Sequence, residues 1–137
     1  MLIQAKFTYR GDMHCETPTP DGRGVLSITP AMRSGAAAPS YSPMDLLALA
    51  HGTCLAMMMG KAAKGAGLDI GGMTVEMALE MAEGTPPRVG SVKARFVLPR
   101  KFAPGELAKL KAGAEMCPVH RALRPEIPVT LELITPE

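Results

Sequence analysis

The side chains best able to do chemistry in this sequence are three cysteines and three histidines. Cys54 lies in SPMDLLALAHGTCLAMMMGK, residues 42–61, and His51 precedes it by three positions. Cys117 opens CPVHRAL, residues 117–123, and His120 follows it by three. A thiolate is a nucleophile and a reductant, and two thiols that can meet can be oxidised to a disulfide. An odd number of cysteines argues against a structural disulfide framework, and for thiol chemistry or inert buried thiols. On a helix His51 and Cys54 share a face, where the imidazole either tunes the thiol or is an ordinary core histidine. Cys117 and His120 have the spacing of half a zinc site, but no second close-spaced pair completes one, so no metal is expected. Cys15 has no motif around it and reads as an ordinary strand thiol.

Residues 42–61 must form the helix that positions Cys54. Ser42-Pro43 is an N-cap followed by a good first helical residue, and Asp45 suits the positive end of the dipole. From Leu46 to Gly60 there is no charged residue, so the helix is expected to be buried on most faces. Lys61 and Lys64 close it, and Gly65 and Gly67 stop it. Before it, strands are expected at residues 2–9, 13–17 and 25–29, with a turn at 10–12 and an Asp-Gly loop at 18–24. Residues 30–41 read as a surface loop. After it, residues 73–83 and 88–98 alternate as a hairpin lying over the central helix. A second helix at 103–116 is stopped by Cys117-Pro118, where a turn begins, and residues 127–134 form the last strand. The order β-β-β-α-β-β-α-β with antiparallel pairs is an α+β fold with helices on one side of sheet, in a single domain over residues 1–137.

Composition narrows the partners. The net charge is +2 and aromatics are 4%, so nothing suggests a nucleic-acid platform. No apolar run reaches the length a membrane span needs, and the N-terminus reads as a strand and not as a signal peptide. A cytoplasmic protein without a membrane partner is expected. Eleven methionines and few aromatics point to a core of Met, Leu, Val and Ala.

SPMDLLALAHGTCLAMMM resembles the cysteine-bearing helix of the OsmC/Ohr family of organic hydroperoxide reductases, in which an N-P-E-E-L-L-type opening precedes A-A-H-A-A-C and a small or Met-rich run. CPVHRAL resembles that family's second-cysteine motif, C-P-V-(S/H)-(K/R)-A-L. The resemblance runs from about residue 39 to 136. It implies an OsmC-like fold, antiparallel sheets packed around a long buried helix. It also implies a thiol-dependent peroxidase acting on organic hydroperoxides or hydrogen peroxide, with Cys54 peroxidatic and Cys117 resolving. An external dithiol, for example of lipoyl type, would be the reductant, with no other cofactor. Two chains would intertwine as a homodimer. His51 matches the family's frequent histidine. The family's arginine from the N-terminal region corresponds first to Arg10, with Arg23 and Arg33 as further candidates. The carboxylate that holds it, ten residues before the first cysteine, falls at Met44, with Asp45 beside it.

The residues themselves divide the labour only in part. Cys54 is mid-helix among apolar neighbours, a setting that disfavours a thiolate, so it needs a nearby cation. Cys117, at the end of a helix, meets the negative end of the dipole, which is tolerable for a thiol that attacks second. The alternative class is a non-enzymatic binder of a small hydrophobic ligand, or a redox sensor.

Overall fold

The computed structural model describes residues 1–30 and 40–136. Two compact units divide the chain, Met1–Leu47 and Ala48–Glu137. The first carries an antiparallel sheet in the order β1 (Thr8–Gly11), β2 (His14–Pro18), β3 (Val25–Ile28). Gly11, Asp12 and Met13 take positive φ (98°, 50° and 59°) to make the tight β1–β2 turn. The strand expected from residue 2 begins only at Thr8. The register Thr8↔Glu16 would set Lys6 opposite Pro18, which has no N–H to give. The Thr17 hydroxyl donates to the Lys6 carbonyl at 2.8 Å instead. The surface-loop reading of residues 30–41 falls largely on 31–39, outside the described residues.

Helix α1 (Pro43–Gly65) is the long element that carries Cys54. Ser42 and Asp45 cap it reciprocally: the Asp45 N–H donates to Ser42 Oγ at 3.0 Å, and the Ser42 N–H to Asp45 Oδ2 at 2.8 Å. At its other end Gly67, at φ 71°, lets the Leu68 N–H reach the Ala63 carbonyl at 2.8 Å, a Schellman closure. The expected all-round burial is not found. Only His51, Gly52, Leu55, Met59 and Ala63 are buried, a stripe at roughly four-residue spacing, while Leu49 and Met57 are 46% and 73% exposed. A second correction concerns length. At 23 residues, with a window of mean hydropathy 1.3, α1 is long and apolar enough by those measures to cross a membrane. The uncharged run from Leu46 to Gly60 understates it, because a helix of this length tolerates a charge near its ends.

In the second unit the sheet runs β4 (Thr74–Met81), β5 (Val89–Val97), β6 (Val129–Ile134). The β4–β5 hairpin forms as expected and alternates cleanly, with Val75 and Met77 turned towards α1 and the core. Gly90 is the extra residue of a bulge, where a Cβ would sit 3.0 Å from the Ala82 amide nitrogen. The last strand departs from an all-antiparallel sheet, because β6 runs parallel to β5 in the register Val92↔Val129 to Val97↔Ile134. The cause is the crossover. α2 (Pro104–Ala114) and an unexpected short α3 (Pro118–Ala122) separate the two strands, the length a parallel pair requires. Pro118 therefore does not merely start a turn; it is a first helical residue, for which its fixed φ suits it. The α+β class and the order of strands hold, with α3 added before β6. Leu55, Met59, Ala94, Phe96, Leu98, Leu110, Ala114 and Cys117 build the core between α1, α2 and the sheet.

Candidate active site

Cys54 is half-buried on α1 against this core. Cys117 is fully buried, and it is the N-cap of α3, its Sγ accepting the His120 N–H at 3.3 Å. This corrects the electrostatics expected from its place after α2. Burial first, then the Cys54 thiol as hydrogen-bond partner and as a like charge, push the Cys117 thiol up. The His120 and Val119 amides pull it the other way and do not prevail. Two facts follow. The Cys54 and Cys117 side chains are neighbours, though they sit on different elements, and Cys117 rests as a protonated thiol. All three cysteines are free.

Each thiol brings a histidine, and the two rings meet. The His51 and His120 centroids are 5.6 Å apart and tilted at 50°. His51 is 1% exposed. His51 Nε2 and His120 Nδ1 are buried and have no hydrogen-bond partner. Burial, and secondarily the charge His120 would carry, hold the His51 imidazole below its ordinary range, so it is neutral near pH 7 and is not the cation Cys54 needs. Stability follows from the same shift. Because the folded pKa is depressed, the unfolded chain binds the proton that His51 in the fold refuses. As pH falls below His51's ordinary value of 6.5 towards its lower folded value, its contribution to stability should therefore be lost. Urea midpoints at pH 7.5 and 5.5 should differ by less in His51→Gln than in the parent chain; an equal fall in both would remove His51 as the cause.

The supporting residues inferred from resemblance are engaged otherwise. Arg10 pairs with Glu16 at 3.1 Å, not with Asp45. The Asp45 carboxylate caps α1, and its hydrogen bonds from the Ser42 backbone and side chain keep its pKa low. For Arg23 only the backbone amide is placed in a contact, donating to Asp21 Oδ1, which does not engage its guanidinium, and Arg33 lies outside the described residues. Cys15 is on β2, paired with Tyr9 and Ile28. Among the described residues no group of three or more His, Cys, Asp or Glu side chains is placed to hold a metal ion. Sequence reasoning passed over His120 as His51's partner. The signal was present in the mirrored spacing of His51-x-x-Cys54 and Cys117-x-x-His120.

A core dithiol shared between a long helix and the cap of a short one, packed on the β4–β6 sheet, is the site of an α+β protein. The chain belongs to the OsmC-like protein family, whose profile matches residues 35–132. Its fold is that of a Psychrobacter arcticus protein named for an osmotic-stress-induced and detoxification response, at TM-score 0.83 and 23% identity over 97% of this chain and 96% of that one. It is also similar to an organic hydroperoxide resistance protein from Elizabethkingia anophelis, at TM-score 0.77 and 19% identity over 99% of each chain. A third likeness is to the organic hydroperoxide resistance protein OhrB of Bacillus subtilis, at 0.72 and 24% over 97% and 99%. At these identities the likeness is one of fold. No curated protein matches the sequence.

Proposed function

We propose that this protein is a cytoplasmic thiol peroxidase that reduces organic hydroperoxides or hydrogen peroxide, with Cys54 as peroxidatic and Cys117 as resolving cysteine. The observation that carries the reading is the contact between the two thiols inside the core. Cys54 is the more accessible and meets the peroxide. Its thiolate attacks the distal oxygen, the O–O bond breaks, and an alcohol or water leaves Cys54 as a sulfenic acid. Cys117 displaces that hydroxyl as a disulfide, which an external dithiol of lipoyl type reduces by exchange. Because the family match runs through the boundary between the two units, we take both as parts of one domain. Purified protein should consume cumene hydroperoxide only when a dithiol is supplied, and no consumption above buffer would reject the reading.

A small apolar cleft of about 110 Å³ beside Gly52 and Thr53, lined by Leu49, Val75 and Met77, favours the second reading, a binder of a small hydrophobic ligand. In that case saturable binding of the peroxide's alcohol would be seen without turnover.

The exposed Leu49 and Met57 on α1 support assembly. Two chains would intertwine with each α1 covered by both, an obligate homodimer burying more than about 2,000 Å². Sedimentation at micromolar concentration should give twice the chain mass; a folded monomer there would reject it.

A further inference from the structure

We propose that His120 is the base that takes the Cys117 proton as the disulfide forms, and that His51 is the positioning residue that holds His120 for it. The proposal rests on the two-cysteine reading above. Cys117 is a protonated thiol with no exposure to water, so water does not reach it to carry its proton away. Only a thiolate attacks sulfur at a useful rate. His120 already touches it through the backbone, its N–H donating to Sγ at 3.3 Å. That same residue keeps a ring nitrogen, Nδ1, buried and without a partner. A buried nitrogen without a hydrogen bond costs free energy, and natural cores rarely leave one without a use. His51 shows the same feature across a 5.6 Å gap between rings, from the turn of α1 that precedes Cys54. Two unpartnered ring nitrogens lie buried in one place, and a charge on His120 would oppose a charge on His51. The other rim of His120 opens to solvent. It lines one cleft with Lys111, Glu115 and Arg121, and another with Arg124.

The step balances without any further oxidant. The Cys117 S–H bond breaks and the proton passes to His120 Nδ1. The Cys117 sulfur bonds to the Cys54 sulfur as the Cys54 S–O bond breaks, and the departing hydroxide takes the proton back as water. The Cys54 sulfur is reduced while the Cys117 sulfur is oxidised. The groups able to bias this pair are Cys54 from α1, Cys117 from the α3 cap, Lys111 from α2 and Glu115 from its C-cap, Arg121 from α3 and Arg124 beyond it. Working at low and high salt separates the last four, which are exposed, from the buried rings.

The test does not need peroxide. In a Cys15→Ser background, which removes the other partly exposed thiol, dithiodipyridine converts Cys54 to a mixed disulfide, and Cys117 then expels thiopyridone as the intramolecular disulfide closes. Closure timed from pH 5 to 9 should show an inflection in the histidine range at both salt concentrations. His120→Gln, or His120→Asn as a second variant, should slow closure at least about tenfold and abolish the inflection, and added imidazole should restore part of the rate. His51→Gln should slow closure less and displace the inflection. The proposal is overturned by closure that keeps its rate and profile in both His120 variants, and equally by a slowing that is uniform across pH and deaf to imidazole. With peroxide as oxidant the His120 variants should accumulate Cys54 sulfenic acid that dimedone traps. Wild-type protein that closes through His120 with dithiodipyridine yet ignores peroxide would keep the relay and remove the peroxidase.

Discussion

Cys54→Ser should abolish peroxide consumption, because a serine hydroxyl at neutral pH does not replace a thiolate as the attacking group. Cys117→Ser should fail later in the cycle. Its Cys54 still attacks once, so one oxygen atom is added to the chain and a sulfenate reagent traps it. With Cys117 gone no internal disulfide protects the intermediate, and excess peroxide should drive Cys54 on to the sulfinic and sulfonic acids. Steady turnover with a dithiol should drop steeply, leaving only the slower direct attack of the dithiol on the sulfenic acid. Cys15→Ser should change neither step, since Cys15 sits in a β-ladder with Tyr9 and Ile28 and has no thiol partner there. Intact mass and turnover of the three variants, measured side by side, decide the roles. Full activity in Cys54→Ser, or loss in Cys15→Ser alone, would overturn the assignment. Wild-type inertness in a folded protein would hand the site to the binder reading.

The paired thiols were legible because two short motifs carry them, and the helix of Cys54 was legible because its cap, its uncharged run and its terminal glycines all say the same thing. The β4–β5 hairpin was legible from alternation, clean over most of residues 73–83 and less so over 88–98. What stayed hidden depends on partners distant in sequence. The parallel setting of β6 is fixed by a crossover whose path no local pattern records. α3 is five residues long, too short for a periodic signal, and without it Cys117 looked like the end of one helix rather than the cap of another. That single change reverses the local dipole on the thiol. Pattern also overstated the burial of α1, because an apolar residue is buried only where another element arrives. The resemblance offered Arg10 and Asp45 only as candidate supports, and each has a local partner instead: Glu16 across the β1–β2 turn for Arg10, and Ser42 at the helix start for Asp45. His120 shows the reverse, a side chain weighed only as half a metal pair and made central by where its ring ends up.

Gly113→Leu should be the most damaging single change outside the thiols, and Gly113→Ala the more instructive one. Gly113 lies on α2 where that helix crosses α1. A Cβ there would collide with the Ala62 Cβ and stand 3.1 Å from the Met58 carbonyl oxygen. Two effects oppose each other in Gly113→Ala. Helix propensity favours alanine by about 1 kcal/mol. Overpacking against backbone at a close helix crossing costs about 1–3 kcal/mol, and here the obstruction is a carbonyl and a Cβ, neither of which can rotate away. Packing should win, giving a net loss of about 1–2 kcal/mol and a melting temperature lower by roughly 4 °C per kcal/mol. Gly113→Leu should lose about 3 kcal/mol or more. Gly105→Ala on the same helix is the control, because a Cβ there meets nothing within 4 Å. It should be neutral or stabilising, and if it falls as far as Gly113→Ala the cause is not the crossing. Ala62→Gly in the Gly113→Ala background should recover stability beyond additivity, since it removes the atom struck. The consequence reaches the chemistry as well. Cys117 follows the end of α2 by three residues. A helix pushed off α1 carries that thiol away from Cys54, so disulfide closure in Gly113→Ala should slow even at temperatures where the chain remains folded.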